Sequence, residues 1–160
     1  MNDDDFGYYV AGYVDGEGCF CVSVGPRTKL RVGWEVRPSF SVSQNFDRAD
    51  VLYRIRDRFQ CGTIRRDSGS RTLKYELRSL SKLIAVVIPF FERYPLLSAK
   101  HSDFLRFADI CRLMSNGAHR NPQGLESIFS LIAQMNPSGT RKYSLALEDI
   151  VSATGNSGKT

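Results

Sequence analysis

The chain has 160 residues, 22 Lys and Arg against 17 Asp and Glu, and a formal net charge of +5. Hydrophobic residues make up 42%, enough for one packed domain, but no run of about 18 apolar residues offers a membrane span. The acidic opening MNDDDFG does not fit a secretory signal, and the small basic excess suits a polyanionic partner without identifying one.

Cys19, Cys21, Cys61 and Cys111 include no CxxC pair, and the histidines are His101 and His119 alone, so zinc-finger and zinc-protease patterns are absent. Reduced thiols are expected, with Cys19 and Cys21 diverging to opposite faces of a strand. A signal-free basic protein of this kind fits an intracellular setting: bacterial cytoplasm, chloroplast or mitochondrion.

In chain order, Phe6, Tyr9, Val10 and Tyr13 recur at helical spacing and predict a helix from about Asp5 to Gly16, with Asp3, Asp4 and Asp5 at its positive end. Phe20, Val22 and Val24 alternate with Cys21 and Ser23, the pattern of a half-buried strand. Residues 25–33 read as a basic loop. Trp34 to Gln44 read as a second strand with Val36, Phe40 and Val42 inward. Asp47 is expected to cap a helix whose stripe is Val51, Leu52, Ile55 and Phe59. TIRR, the turn DSGS and a strand from about Thr72 to Arg78 predict a hairpin. A helix over Ser79–Val87 should stop before Pro89 and give way to an aromatic bend, PFFERYPLL.

Helices from about Ser98 to Asn116, from about Asn121 to Met135 and over 144–152 complete the set. Residues 1–153 read as one domain and 154–160 as a frayed tail. The order αββαββα plus C-terminal helices predicts an α+β fold: a four-stranded antiparallel sheet with helices on one face and the other face open.

Strand alternation assigns Cys21, Ser23, Glu35, Arg37, Ser39, Ser41, Ser43, Arg65, Lys74, Glu76 and Arg78 to the open face, and the loop adds Arg27, Lys29 and Arg31. Hydroxyls and guanidiniums without large aliphatic groups suit base edges and phosphates, although a plain solvated face has the same look and Glu35 and Glu76 are mixed in. The segment AGYVDGEGCF is sharper. Ala11, Gly12 and Gly16 strip the first helix of bulk and suggest a close helix–helix contact. Asp15 and Glu17 sit at the negative end of that helix, where acids are unfavourable unless a cation comes. Carboxylate plus unpaired carbonyl suits Mg²⁺, and a two-fold axis would bring two such sites together. A plain turn ending a helix is the other reading. No Gly-rich phosphate loop, nucleophile elbow or Cys–His pair points to a small-molecule enzyme.

VAGYVDGEG, Val10 to Gly18, resembles the nine-residue motif of the LAGLIDADG homing endonucleases, and CFCVSV, SVSQ, YEL, RYPLLSAK and QMN extend the resemblance over roughly residues 6–143. The motif occurs once, and single-motif members of that family are homodimers. The resemblance implies a free-standing, intron-encoded enzyme. It would lay its sheets in the major groove of a long, near-palindromic double-stranded DNA target. It would then cut both strands to leave short 3′ overhangs. In this reading Glu17 is the metal-binding carboxylate, the Gly16 carbonyl is a supporting ligand, and Asp15 is mainly structural. Ala11, Gly12, Asp15 and Gly16 form the dimer interface. Gln44 orders water near the scissile phosphate, Arg48 stands at the edge of the site, and Lys100 lies near the scissile phosphates. Ala99 departs from the polar or basic group common there. The open-face residues become the base-reading set. The cofactor implied is Mg²⁺ or Mn²⁺, with Ca²⁺ as a non-cleaving substitute. The alternative is a cleavage-inactive relative that regulates through DNA or binds RNA as a maturase.

Overall fold

Phe20, Phe40 and Leu77 stand in one row across three strands, and Val42, Tyr75 and Ile64 in the next. These rows define the inner face of one antiparallel sheet, ordered β1-β2-β4-β3, made of β1 (Gly18–Pro26), β2 (Trp34–Asn45), β3 (Thr63–Arg66) and β4 (Thr72–Leu77). The computed structural model describes residues 1–135. The expected helix over 144–152, the tail from 154 and the end of the expected domain lie outside the described residues.

The helices are α1 (Asp3–Glu17), α2 (Asp50–Phe59), α3 (Leu80–Lys82), α4 (Ile88–Arg93), α5 (Lys100–Ser115) and α6 (Pro122–Gln134). Between sheet and helices lies an aromatic core. Phe20 meets Phe40, Phe91, Phe104 and Phe107 with centroids 5.2, 5.4, 5.3 and 5.3 Å away, in tilted and edge-on geometry. The expected α+β order and sheet therefore hold.

Four local expectations change. Asp47 does not cap α2. It sits in a 3₁₀ turn, Phe46–Arg48, and α2 begins after Ala49 without a side-chain cap. Pro89 does not end its helix. A π-helical turn, Leu83–Val87, links α3 to α4, and Pro89 occupies the first turn of α4. The wider turn accommodates the missing N–H and the ring bulk that would break a regular helix. The bend is thus confined to residues 94–99. Cys19 and Cys21 do not diverge, because residues two apart on a strand share a face, here the open one with partners Ser41 and Ser39. Ala11 is 4% exposed and packs in the core with Val10 and Val14, so it does not share the face of Gly12 and Gly16. Helical spacing puts positions four apart together and their immediate neighbour about 100° away.

Helix α1 is fixed at both ends. At its start Asn2 accepts from the Asp5 amide at 2.8 Å and Asp5 accepts from the Asn2 amide at 3.3 Å, a reciprocal cap. Asp4 accepts from the Tyr94 hydroxyl at 2.6 Å and from Arg93 at 2.8 Å. The Tyr94 ring fits only because residue 7 is glycine: a Cβ there would stand 2.4 Å from it.

At the other end α1 and α5 clasp each other. The Asp15 carboxylate accepts from the amides of Leu97 at 3.0 Å and Ser98 at 2.9 Å, and from the Ser98 hydroxyl. In return, Lys100 Nζ donates to the carbonyls of Val14 at 2.9 Å and Gly18 at 2.6 Å. The cation that the acidic helix end calls for is partly this ammonium, which meets the Val14 carbonyl, already the acceptor of the Gly18 amide, and the carbonyl of Gly18 just past the helix. Burial works to raise the Asp15 pKa. Hydrogen bonds from Ser98 and Leu97 and the charge of Lys100 outweigh it and hold the carboxyl below its ordinary 3.8.

Two predictions follow from these contacts. Gly7→Ala, which in an open helix would stabilise, should instead cost about 1–3 kcal/mol by thermal unfolding, because Tyr94 has no room to retreat. Asp15→Asn should cost about 1–3 kcal/mol at neutral pH. A depressed carboxyl stabilises fully above its unfolded value and loses that contribution as pH falls through its folded one. The gap between wild type and Asp15→Asn in melting temperature should therefore close as pH drops below 3.8.

Candidate functional site: a basic sheet face and an acidic helix end

The register sets the open face in rows. Cys19, Ser41, Glu76 and Thr63 form one, Ser43, Lys74 and Arg65 another, and Ser23 with Arg37 a third. Cys21 pairs with Ser39, Gly25 with Glu35, and Arg78 follows directly on β4. Arg27, Lys29 and Arg31 are exposed at the β1–β2 turn, which closes through Arg27 and Gly33. The strand residues expected on this face are all there.

Their accessibility differs. Ser41 is 7% and Glu76 8% exposed, so neither offers free groups to a partner. Both acids of the face are bound to its own cations. Glu35 pairs with Arg27 at 2.5 Å and Arg37 at 3.6 Å. Glu76 pairs with Arg78 at 3.2 Å, Arg65 at 3.5 Å and Lys74 at 3.7 Å. Burial would raise the Glu76 pKa, but the hydrogen bond and charge of Arg78, with Lys74 and Arg65, hold it below the usual carboxylate value. It stays ionised.

The acidic helix end lies beside this face, because β1 starts at the residue after Glu17. Glu17 and Gly16 are exposed, and the Gly16 carbonyl lies beyond the last backbone hydrogen bond of the helix, from Gly18 to Val14. Asp15 is committed to Leu97 and Ser98. Of the residues expected at a helix–helix contact, Gly12 and Gly16 present open surface, and Ala11 and Asp15 are used inside the chain.

Gln44 is the last residue but one of β2, on the helix side, two residues after Val42. Its Nε2 donates to the Tyr13 hydroxyl at 2.5 Å and its Oε1 accepts from the Asn45 amide at 2.7 Å. Spacing places Tyr13 on the apolar stripe of α1, yet its hydroxyl joins Gln44 to that helix. Burial raises its pKa first, the Gln44 hydrogen bond lowers it, and the charge of Glu17, one turn on, raises it again. The signal available in sequence was the four-residue step from Tyr13 to Glu17. Tyr13, Gln44 and Arg48 line one hollow of about 480 Å³, with Arg48 at an exposed position. Tyr13 and Gln44 thus meet each other beside the last turns of α1, Lys100 reaches the end of that helix through Val14 and Gly18, and Arg48 shares the hollow of Tyr13 and Gln44.

The donor set suits a hard divalent cation in kind, being carboxylate and backbone carbonyl. It falls short in number. Among the described residues, no three His, Cys, Asp or Glu side chains gather as a metal site. No helix among the described residues is long and apolar enough to cross a membrane.

Residues 10–111 match the family model described as LAGLIDADG endonuclease. The chain is similar to the DNA endonuclease I-CeuI of Chlamydomonas moewusii, 31% identical over 121 residues that cover 73% of this chain and 56% of that protein. It is similar in structure to the homing endonuclease I-TnaI, with a TM-score of 0.82 at 32% identity over 92% of this chain and 97% of that one. It also resembles the LAGLIDADG homing endonuclease I-LtrWI bound to target DNA, with a TM-score of 0.83 at 31% identity over 88% of this chain and 47% of that one. Against three fungal relatives it spans about a quarter of their length. Since the family model covers the motif, the whole sheet and the aromatic core as far as Cys111, the chain belongs to the LAGLIDADG endonuclease family.

Proposed function

We propose that this chain is one subunit of a homodimeric, site-specific DNA endonuclease that hydrolyses both strands of a long, near-palindromic duplex and leaves short 3′ overhangs. The observation that carries the reading is the exposed carboxylate of Glu17, held at the tip of a fixed helix beside an open sheet face rich in Arg, Lys and Ser. Half a metal site per chain asks for a second copy, and the exposed Gly12 and Gly16 offer that copy a helix face without bulk. Tyr8 and Tyr9, 63% and 48% exposed, flank the same face and would add apolar contact. I-LtrWI bound to target DNA supports duplex DNA as the partner.

Glu17 and the Gly16 carbonyl would hold Mg²⁺ or Mn²⁺, with Ca²⁺ as a non-cleaving substitute. Such an ion, when bound, supplies Lewis acidity toward a phosphate oxygen and acidifies water. The chain's own groups do the rest. Lys100 spends two of its three N–H donors on Val14 and Gly18 and keeps one for a phosphate oxygen or a water. Gln44 keeps the second N–H of its amide for a water, and its hydrogen bond to Tyr13 fixes the direction. Arg48, exposed beside the hollow it lines with Tyr13 and Gln44, would offer positive charge to the approaching backbone. The sheet face would lie in the major groove, with Ser23, Ser39, Ser43, Arg37, Arg65, Lys74 and Arg78 toward base edges and the loop residues Arg27, Lys29 and Arg31 toward its end.

Glu17→Gln should keep affinity for a library-selected duplex within about threefold and reduce Mg²⁺-dependent cleavage by about 10³ or more, with sedimentation showing two chains per duplex. Cleavage at the wild-type rate, cleavage that persists in EDTA, or one chain per duplex would each overturn the reading. A wild type that binds but never nicks supports the regulator or maturase alternative. Lys100→Met should lower cleavage by about 10²–10³ and also lower the melting temperature, because the same ammonium caps α1. Loss of activity without loss of stability would separate Lys100 from that cap.

A further inference from the structure

A face that meets a polyanion gains nothing in general attraction from acids, yet Glu76 sits at its centre. It lies on β4, opposite Ser41 of β2 and Thr63 of β3. Lys74 is two residues before it on the same strand, Arg78 two residues after, and Arg65 faces Lys74 from β3. The carboxylate therefore has a cation on three sides, at 3.2 Å for Arg78, 3.5 Å for Arg65 and 3.7 Å for Lys74, and Arg78 also hydrogen-bonds it. Exposure rises outward from this hub: the side chains are 9% exposed for Glu76, 25% for Lys74, 48% for Arg65 and 68% for Arg78.

Two simpler roles fit poorly. A carboxylate that reads cytosine must present an open oxygen to its amino group. Both Glu76 oxygens are covered and engaged by cations. A phosphate rail works best with mobile cations and no acid among them, since each neutralised phosphate adds affinity whatever the sequence. Long Lys and Arg side chains lose much freedom when they settle on one contact, and a partner that holds them beforehand removes that loss from binding. A covered carboxylate ringed by three cations does this, at the expense of one unit of positive charge.

We propose that Glu76 is a specificity-setting positioning residue: it holds Arg65, Lys74 and Arg78 in a fixed fan so that they meet base edges in one register, and it weakens attraction to random duplex. This rests on the proposed DNA-binding reading, and the test separates the two.

Wild type and Glu76→Gln, each checked for a cooperative thermal melt, are selected against a random duplex library in EDTA, so that cleavage plays no part. Affinities for the selected and for random duplex are then measured at two salt concentrations. Wild type should yield a consensus. Glu76→Gln should blur several neighbouring base pairs of it, lower the preference for selected over random duplex by about tenfold, and raise affinity for random duplex about two- to threefold at low salt. An unchanged consensus and ratio overturns the proposal. So does a change at one base pair only, which marks a direct reader, or an equal loss toward both duplexes, which marks a structural role. Should Glu76→Gln not fold, the double variant Arg65→Met with Arg78→Met, which leaves Glu76 paired with Lys74, carries the comparison. Loss of preference within one contiguous block of base pairs supports the fan, and an unaltered consensus overturns it. If wild type itself selects no consensus, the DNA-binding reading fails, and the proposal with it.

Discussion

The tip of α1 is held by exchange. Asp15 gives its charge to the amides that open the path into α5, and Lys100 gives its ammonium to the carbonyls that close α1. Each helix end satisfies what the other lacks, so neither acid nor cation is left to face the helix dipole alone. With Asp15 bound inward, Glu17 is the acid that remains exposed. The division between a structural acid and an outward one thus comes from hydrogen bonds and not from any difference in acid strength.

The sheet face obeys a related rule. Its cations are not free: Glu35 draws Arg27 and Arg37 together, and Glu76 gathers Arg65, Lys74 and Arg78. The exposed pairs of Glu35 add little to stability, since water screens them and side-chain entropy opposes them. What they do effectively is restrict direction. On the proposed reading, a surface organised in this way trades breadth of attraction for definition, which is what reading a sequence requires and what holding any duplex does not.

The face and the helix end are joined by backbone. Gly18 ends α1, receives the Lys100 contact on its carbonyl and begins β1, and Cys19 after it already belongs to the open face. Behind them, Phe20 turns into the aromatic core with Phe40, Phe91, Phe104 and Phe107. Close packing of rings makes that core stiff. Across the sheet, Gln44 and Tyr13 tie β2 to the same helix turn. The position of Glu17 relative to the sheet is therefore set by covalent neighbours on one side and by hydrogen bonds on the other.

Much of this was legible in the amino-acid sequence, where a period dictated it. The two-residue alternation of FCVSV, of Trp34–Gln44 and of the YEL strand determined which side chains share the open face, because a strand leaves its residues no other choice. The motif Val10–Gly18 marked the helix and its acidic end. What depends on meetings between distant residues was decided only by the tertiary structure. Ala11 went to the core and left Gly12 exposed, as the angle between successive helical residues requires. Pro89 was absorbed by a π turn that spacing does not announce. Lys100 reached back across 82 residues to Gly18, and Glu76, outward by alternation, was covered by cations from two strands. Sequence periodicity fixes the face a residue occupies, whereas its partners are chosen by packing, and the chemistry at the tip of α1 belongs to the partners.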